Sequence, residues 1–346
     1  ALRGEKPSNV FIYGKTGTGK TLVSKYVGQE LEKKATLQKT SLKTCYLNCK
    51  LDKINTPYRL FARFLSEFGE EVPPTGLPTD EVYKHFLNTM HKKKGIFILI
   101  LDEIDALSDT DVLYNLSRIN TELKDSRISI IGISNDLSFT NDLDPRIKSS
   151  LSEEELVFPP YNATQIRDIL TQRADLALQK DILDADVIPK CSALAAQEHG
   201  DARRALDLLR VACEIAERKG MQKISISHVD DAQKKLDIDR VIEVVKTQPR
   251  QSQLVLYSVI YLSDLNKEDI ATGDVYEVYH QFCKQSGLSP LTQRRVSDLI
   301  AELDMLGVIN ASVISMGRYG RTRKIKLEIS GRALEKSKDI LKGELL

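Results

Sequence analysis

Eight consecutive residues near the start of the chain, Gly14-Lys15-Thr16-Gly17-Thr18-Gly19-Lys20-Thr21, have the residue types and spacing of a loop that holds phosphate. Glycines let backbone N–H groups turn inward around phosphate oxygens. The N-terminus of a following helix adds unpaired donors and a favourable dipole. Lys20 would set a cation against the β- and γ-phosphates of a nucleotide, and the Thr21 hydroxyl would ligate Mg²⁺. The plainer reading is a glycine-rich turn that starts a helix. An apolar strand before the loop and a helical pattern after it argue for phosphate.

A second pair of residues has matching chemistry. Asp102 and Glu103 end the apolar run Ile98-Leu99-Ile100-Leu101. A carboxylate there can hold Mg²⁺ through water, and its neighbour can orient or deprotonate an attacking water. Acidic residues after a strand are also ordinary helix caps, so the pair gains its meaning from the phosphate loop upstream. Asn135, after the apolar run Ile130–Ser134, has an amide suited to a γ-phosphate or a water, or simply to a turn. Arg203, in Gly200-Asp201-Ala202-Arg203-Arg204, begins a helix from which it can reach a γ-phosphate; otherwise it is a surface arginine.

The elements that must position these residues alternate along the first half. Strand patterns at Asn9–Tyr13, Thr44–Asn48, Ile96–Leu101 and Ile128–Ser134 are separated by helical patterns at Lys20–Lys34, Pro57–Phe68, Asp80–His91 and Val112–Leu123. Thr56 is placed to cap the second helix with Pro57 at its first position. Strands apolar on both faces and separated by helices imply an α/β fold with a parallel sheet covered on both sides. After Phe158-Pro159-Pro160-Tyr161 only helical periodicity remains, from Ala163 to about Lys246, which reads as a small all-α domain. Thr247-Gln248-Pro249 breaks the last helix and reads as a linker.

The remainder has three helix patterns (Gln253–Leu262, Thr272–Gln285, Leu291–Leu306) and two β-rich segments (Val308–Met316, Arg323–Ile329), the layout of a winged helix. Residues 246–346 hold 15 Lys and Arg against 12 Asp and Glu, so overall charge is no argument for nucleic acid. The distribution is more informative. Arg318, Arg321, Arg323, Lys324 and Lys326 fall together with no acid among them, around Tyr319 and Gly320 at the expected ribbon turn. Such a ribbon can enter a minor groove or follow phosphates; a solvated charged hairpin is the alternative. In the third helix Val296, Leu299, Ile300, Leu303 and Leu306 are expected to form the buried stripe. Gln293 and Arg294 or Arg295 then stand at the exposed N-terminal end, where a recognition helix meets bases.

Composition bounds the possibilities. The 346 residues carry 50 Lys and Arg against 49 Asp and Glu, a net charge of +1, and 41 % are apolar, which excludes a disordered or collagen-like chain. The longest strong apolar run, Ile96–Leu101, is far short of the roughly 18 residues of a membrane span. No apolar leader core opens the chain, and five scattered cysteines suit a reduced compartment, so the expected location is cytoplasmic with no membrane partner. Cys45 and Cys49 are expected to pack in the core, and the five histidines have no metal-site spacing.

The order GKTGTGKT, ILILDEID, GISND, LDPRIKSSL, FPPYN, GDARRALDLLR and TQRRVSDLIAELDMLG resembles the AAA+ ATPases, and within them the archaeal replication initiators related to the origin-recognition complex and the cell-division-control helicase loaders. The resemblance implies a P-loop base over 1–160 with a five-stranded sheet, a helical lid over 161–246 and a winged-helix DNA-binding domain over 247–346. It places Asn135 as sensor 1, Arg203 as sensor 2 and Arg146 as a finger toward a neighbouring subunit's ATP. It implies ATP or ADP with Mg²⁺ as cofactors and slow hydrolysis as a switch. Implied partners are origin duplex DNA, the replicative helicase and other initiator copies or paralogues. It also implies a second DNA contact near Asn55–Arg63, for which Arg59 and Arg63 are candidates. Relatives begin with a longer lead-in that helps to hold adenine; a trimmed start is expected here, and adenine contacts are not assigned. Two other functions fit the same motifs: a clamp-loader-like AAA+ motor, and a DNA-binding transcription regulator with a structural nucleotide.

Overall fold

The computed structural model describes residues 5, 7–73, 76–107, 110–139, 143–151, 154–265, 270–315 and 321–345. The chain separates into two compact units, 1–210 and 211–346. The first unit contains β1 (Val10–Tyr13), α1 (Lys20–Leu37), β2 (Leu42–Asn48), α2 (Pro57–Glu67), α3 (Thr79–Lys93), β3 (Gly95–Asp102), α4 (Thr110–Glu122), β4 (Ser126–Ser134), α5 (Pro145–Leu151), β5 (Glu154–Val157), α6 (Ala163–Ala177) and α7 (Val187–Gln197). It ends within α8 (Ala202–Arg218).

The five strands pair in parallel in the order β2-β3-β4-β1-β5. β3 is buried from its second residue to its last, as a continuous apolar run between two neighbours requires. Its alternate residues divide between two cores. Phe97, Leu99 and Leu101 pack with Leu60, Phe61, Phe64 and Phe86 of α2 and α3. Ile96, Ile98 and Ile100 pack with Ile12 and Ile133, against Leu31 of α1. Thr56 caps α2, accepting a hydrogen bond from the Arg59 amide, and Pro57 takes the first helical position. The Phe61 ring lies 5.0 Å from that of Tyr83 and 5.2 Å from that of Phe86.

Parallel register decides what meets at the carboxyl edge of this sheet. Tyr13 lies opposite Ser134, while Asp102 lies opposite Ile133 on one side and Asn48 on the other. The residues that follow β1, β3 and β4 therefore emerge side by side, at strand spacings of about 4.8 Å. Loops at the carboxyl ends of parallel strands are where open α/β sheets bind ligands. β5 has no apolar run to reveal it in the sequence: all four of its residues are exposed, and it is held by pairing to β1.

The second unit holds the end of α8, then α9 (Ile226–Thr247), α10 (Arg250–Asp264), β6 (Ile270–Ala271), α11 (Thr272–Gln285), α12 (Gln293–Met305), β7 (Ile309–Ser315), β8 (Arg321–Leu327) and α13 (Gly331–Leu345). Its three strands form an antiparallel sheet, β6-β8-β7. The ribbon strands are shifted from the sequence expectation because the ladder continues to the pair Ser315 and Arg321, drawing Arg321 and Thr322 into β8. α13 is absent from the sequence reading. Its buried face is Ala333, Ser337, Leu341 and Leu345, only two of them large and apolar, and it packs on α9 and α10.

Truncating Phe61 to alanine removes a fully buried ring and should destabilise the first unit by about 3–5 kcal/mol. Guanidinium unfolding would measure it, and a loss under about 1 kcal/mol would contradict the packing described.

Candidate functional site

β1 runs into the loop 14–21, and α1 opens at Lys20. Lys20 is 5 % exposed. Its ammonium donates to the carbonyls of Gly14 (2.6 Å) and Lys15 (2.8 Å) and to Oδ1 of Asn135 (2.9 Å). The lysine after one strand and the amide after its neighbour are thus joined by adjacent parallel strands. Burial pushes the Lys20 pKa below its ordinary value; Asp102 opposes this, Arg203 adds to it, and Asp105 opposes it more weakly. Arg203 is exposed, yet close enough for its charge to act on Lys20.

One helical position later, the Thr21 hydroxyl donates to Oδ2 of Asp102 at 2.8 Å. Asp102 is 5 % exposed, and a buried carboxylate needs its oxygens satisfied. Tyr46 on β2 donates to the same Oδ2 at 2.8 Å, and the Glu103 amide donates to Oδ1 at 3.0 Å. Burial and the bond to Asp102 push the Tyr46 phenol up to about 12. Glu103 stands at φ 52, ψ 47, a left-handed conformation that costs a non-glycine residue on the order of 1–3 kcal/mol and clusters at functional sites. Asp105, in the turn that follows, accepts from the Asn135 amide at 3.2 Å.

The loop is bare where it faces the following segments. Gly17 has φ +75 and Gly19 has φ +86, and a Cβ on Gly17 would overlap the Asp201 carboxylate. A Cβ on Gly19 would lie 2.6 Å from the Tyr161 hydroxyl. Asp201 caps α8 by accepting from the Arg203 amide at 2.7 Å, and the Ala202 amide donates to the Gly17 carbonyl at 3.4 Å. A buried ammonium beside a loop that is bare at Gly14, Gly17 and Gly19 suits phosphate, and the Thr21 hydroxyl with the Asp102 carboxylate supplies hard oxygens suited to a divalent cation.

The fold therefore brings Lys20, Thr21, Asp102, Glu103 and Asn135 to one edge, with Arg203 nearby. Tyr46, Asp105, Tyr161 and Asp201 join them and were not singled out from the sequence. Tyr46 is detectable only once the register of β2 on β3 is known; Asp201 has the one local signal, a cap position before a helical run. Arg146 is exposed on α5, its amide donating to Asp144 at 2.8 Å. Arg59 and Arg63 lie on α2. Arg59 donates to the Lys53 carbonyl and to Asn55, while Arg63 stands near Asp52 (3.9 Å) and Glu67 (3.8 Å). Cys45 and Cys49 are packed in the core, and burial pushes both thiols up to about 12.

In the second unit, α12 and the ribbon flank a groove of about 590 Å³, lined by Gly273, Gln293, Arg294, Ser297, Val313 and Arg323 among others. Thr292 caps α12, whose buried stripe is Val296, Leu299, Ile300 and Leu303 while Leu306, at the C-cap, is exposed; Gln293 and Arg294 are exposed at its start. Arg295 is drawn to Glu302 (3.5 Å) and Asp298 (3.9 Å). Arg323 is half-buried and donates to the carbonyl of Ser297 at 2.5 Å and to its hydroxyl at 3.0 Å, tying the ribbon to α12. Lys324 pairs with Ala271 on one side and Ser312 on the other. Arg318, Tyr319 and Gly320 lie outside the described residues, and only the backbone of Arg321 is described.

The sheet order, the loop-to-helix junction and the acid at the end of β3 are those of an AAA+ P-loop protein, here followed by a winged helix. Comparison with known proteins narrows this. Residues 3–138 match the family model for an AAA domain, 167–234 that for a Cdc6 AAA+ ATPase-type lid domain, and 243–337 that for the CDC6 C-terminal winged helix domain. The ORC1-type DNA replication protein 1 of Methanosarcina mazei is 56 % identical over 333 residues, covering 95 % of this chain and 80 % of the relative. The ORC1-type DNA replication protein of Pyrococcus furiosus is 54 % identical over 336 residues, with the same coverage. The structure of the Aeropyrum pernix ORC1 protein in complex with DNA is similar at a TM-score of 0.82 and 47 % identity, covering 100 % of this chain and 90 % of that one. The chain belongs to the family of ORC1-type DNA replication proteins. Among its described residues no helix is long and apolar enough to cross a membrane.

Gly17→Ala should displace the Asp201 carboxylate from its cap on the first turn of α8, because the new Cβ overlaps it. Amide hydrogen exchange at Ala202 and Arg203 should accelerate; unchanged protection there would refute the contact.

Proposed function

We propose that this chain is a replication initiator that binds ATP or ADP with Mg²⁺ at the loop 14–21, binds origin duplex DNA through its C-terminal module, and uses slow hydrolysis as a switch. We place the nucleotide-binding base at 1–160, the lid at 161–246 and the winged helix at 247–346. The observation that carries the nucleotide reading is the buried Lys20 ammonium held between loop carbonyls and Asn135 at 2.9 Å.

In this reading Gly14 to Thr21 wrap the phosphates, and Lys20 exchanges its carbonyl contacts for phosphate oxygens. Thr21 and Asp102 hold Mg²⁺, which when bound neutralises charge developing on the phosphates. Glu103 orients and deprotonates the attacking water. Asn135 and Arg203 report on the γ-phosphate, and Arg146 reaches a neighbouring copy's nucleotide. On the DNA side, Gln293 and Arg294 read base edges from the start of α12. Arg295, Arg318, Tyr319, Gly320, Arg321 and Lys324 contact the backbone or minor groove, Arg323 sets the ribbon, and Arg59 and Arg63 add a contact from α2. The DNA-bound structure of the Aeropyrum pernix ORC1 protein supports this reading. Recruitment of the replicative helicase follows as the initiator's output.

Lys20→Ala should abolish binding of a fluorescent ATP analogue while the second unit stays folded; unchanged affinity would refute the assigned site. Glu103→Gln should keep ATP binding and slow hydrolysis by about 10²–10⁴-fold, the usual contribution of a positioned base, in a single-turnover assay. Arg294→Ala should lower the slope of log affinity against log salt by up to about 0.9 if it meets a phosphate, or leave the slope and relax sequence preference if it meets a base. Footprinting on chromosomal DNA with ATP and with ADP tests the switch, and identical footprints would overturn it.

A further inference from the structure

Asp102 is the acid on which the proposed metal site depends, and its carboxylate takes three hydrogen bonds. One comes from the next residue's amide and one from Thr21, which belongs to the phosphate loop and is itself a proposed metal ligand. The third, from the Tyr46 hydroxyl at 2.8 Å, comes from a strand with no part in the loop. β2 pairs with β3 over seven residues, with Tyr46 opposite Ile100 and Asn48 opposite Asp102. Tyr46 and Asn48 share a face, so reaching Asp102 from Tyr46 means covering a two-residue rise of about 6.6 Å. A phenol spans that distance, whereas a serine or threonine does not.

The ring is also held from above. The Lys25 ammonium lies 3.5 Å from its centroid, a cation–π contact. Lys25 stands four residues after Thr21 on α1, on the same face of the helix. The helix that brings Thr21 to Asp102 therefore also presses Lys25 onto the tyrosine that grips the same carboxylate oxygen.

We propose that Tyr46 is a positioning residue that fixes the Asp102 carboxylate for Mg²⁺, so that the metal site is shaped before nucleotide and metal arrive. This rests on the reading of the loop as a nucleotide and Mg²⁺ site. Hydrogen-bond partners behind metal-binding carboxylates typically change metal affinity or activity by 10–100-fold.

The test is Tyr46→Phe, which keeps the ring and removes the donor. Metal binding is read by electron paramagnetic resonance of Mn²⁺ with ADP present, and by Mg²⁺ titration of a fluorescent ADP analogue. Expected is a 10–100-fold weaker metal midpoint, with affinity for the analogue in EDTA unchanged and the thermal transition kept. Lys25→Met, which leaves the hydroxyl but removes the charge over the ring, should shift the midpoint in the same direction by a smaller factor. Metal titrations of both variants that superimpose on the unaltered protein would overturn the proposal. So would a matching loss of affinity in EDTA, which would mark a damaged site and not a mispositioned carboxylate. If the unaltered protein binds the analogue but shows no metal dependence, the metal reading itself fails. That outcome is distinct from a defect confined to the variants.

Discussion

A carboxylate at the end of a buried strand must be surrounded by donors, and much of the first unit is arranged around that requirement at Asp102. The strand that carries it is apolar because it is covered on both faces, and the sheet ends where the acid begins. Its oxygens are met by the next residue's amide, a hydroxyl from α1 and a phenol from β2. Those three donors come from three elements, so the carboxylate ties the start of α1, the end of β3 and the edge strand β2 into one frame. Lys20 is held in the same way from the opposite sign of charge: a buried ammonium surrounded by two carbonyls and an amide oxygen. Under the proposed function, both sets of partners are what nucleotide and metal would replace or share.

Two further elements meet the loop. Asp201 at the start of α8 and Tyr161 after β5 approach Gly17 and Gly19 closely enough that a Cβ at either place would force the Asp201 carboxylate or the Tyr161 hydroxyl to move. Left-handed φ values and close side-chain approach thus coincide at the same positions. Bare backbone at the glycines is what phosphate needs, and at Gly17 it is also what lets the start of α8 sit directly on the loop. Any change in the loop's backbone would be felt at the first turn of α8, which carries Arg203.

The second unit solves a different problem. A two-stranded ribbon has little of its own to fix its angle, since an isolated hairpin is marginally stable. Here β6 adds a third strand, and Arg323 anchors the ribbon to Ser297 on α12. Not every basic residue of the ribbon is therefore directed outward. Arg295 is similarly engaged with Glu302 and Asp298, though exposed pairs of this kind contribute under about 1 kcal/mol and yield readily to a stronger anion.

What the chain determined without its fold was whatever local spacing encodes: the loop and its helix, the acidic strand end, four of five strands in the first sheet, the capped α2, and the three helices and ribbon of the second unit. β5 and α13 escaped because their stability comes from pairing and packing, with exposed residues in one and a thin apolar stripe in the other. Asn135 was legible only as a candidate, since its meeting with Lys20 depends on β4 lying between β1 and β3. Tyr46 had no motif at all, and the segments holding Tyr161 and Asp201 did not reveal that these two side chains approach the loop. Their roles arise where parallel register and chain crossovers bring residues 56 to 184 positions apart within contact distance, and no local pattern carries that information. Spacing along the chain set the chemistry available; strand order decided which side chains would share it.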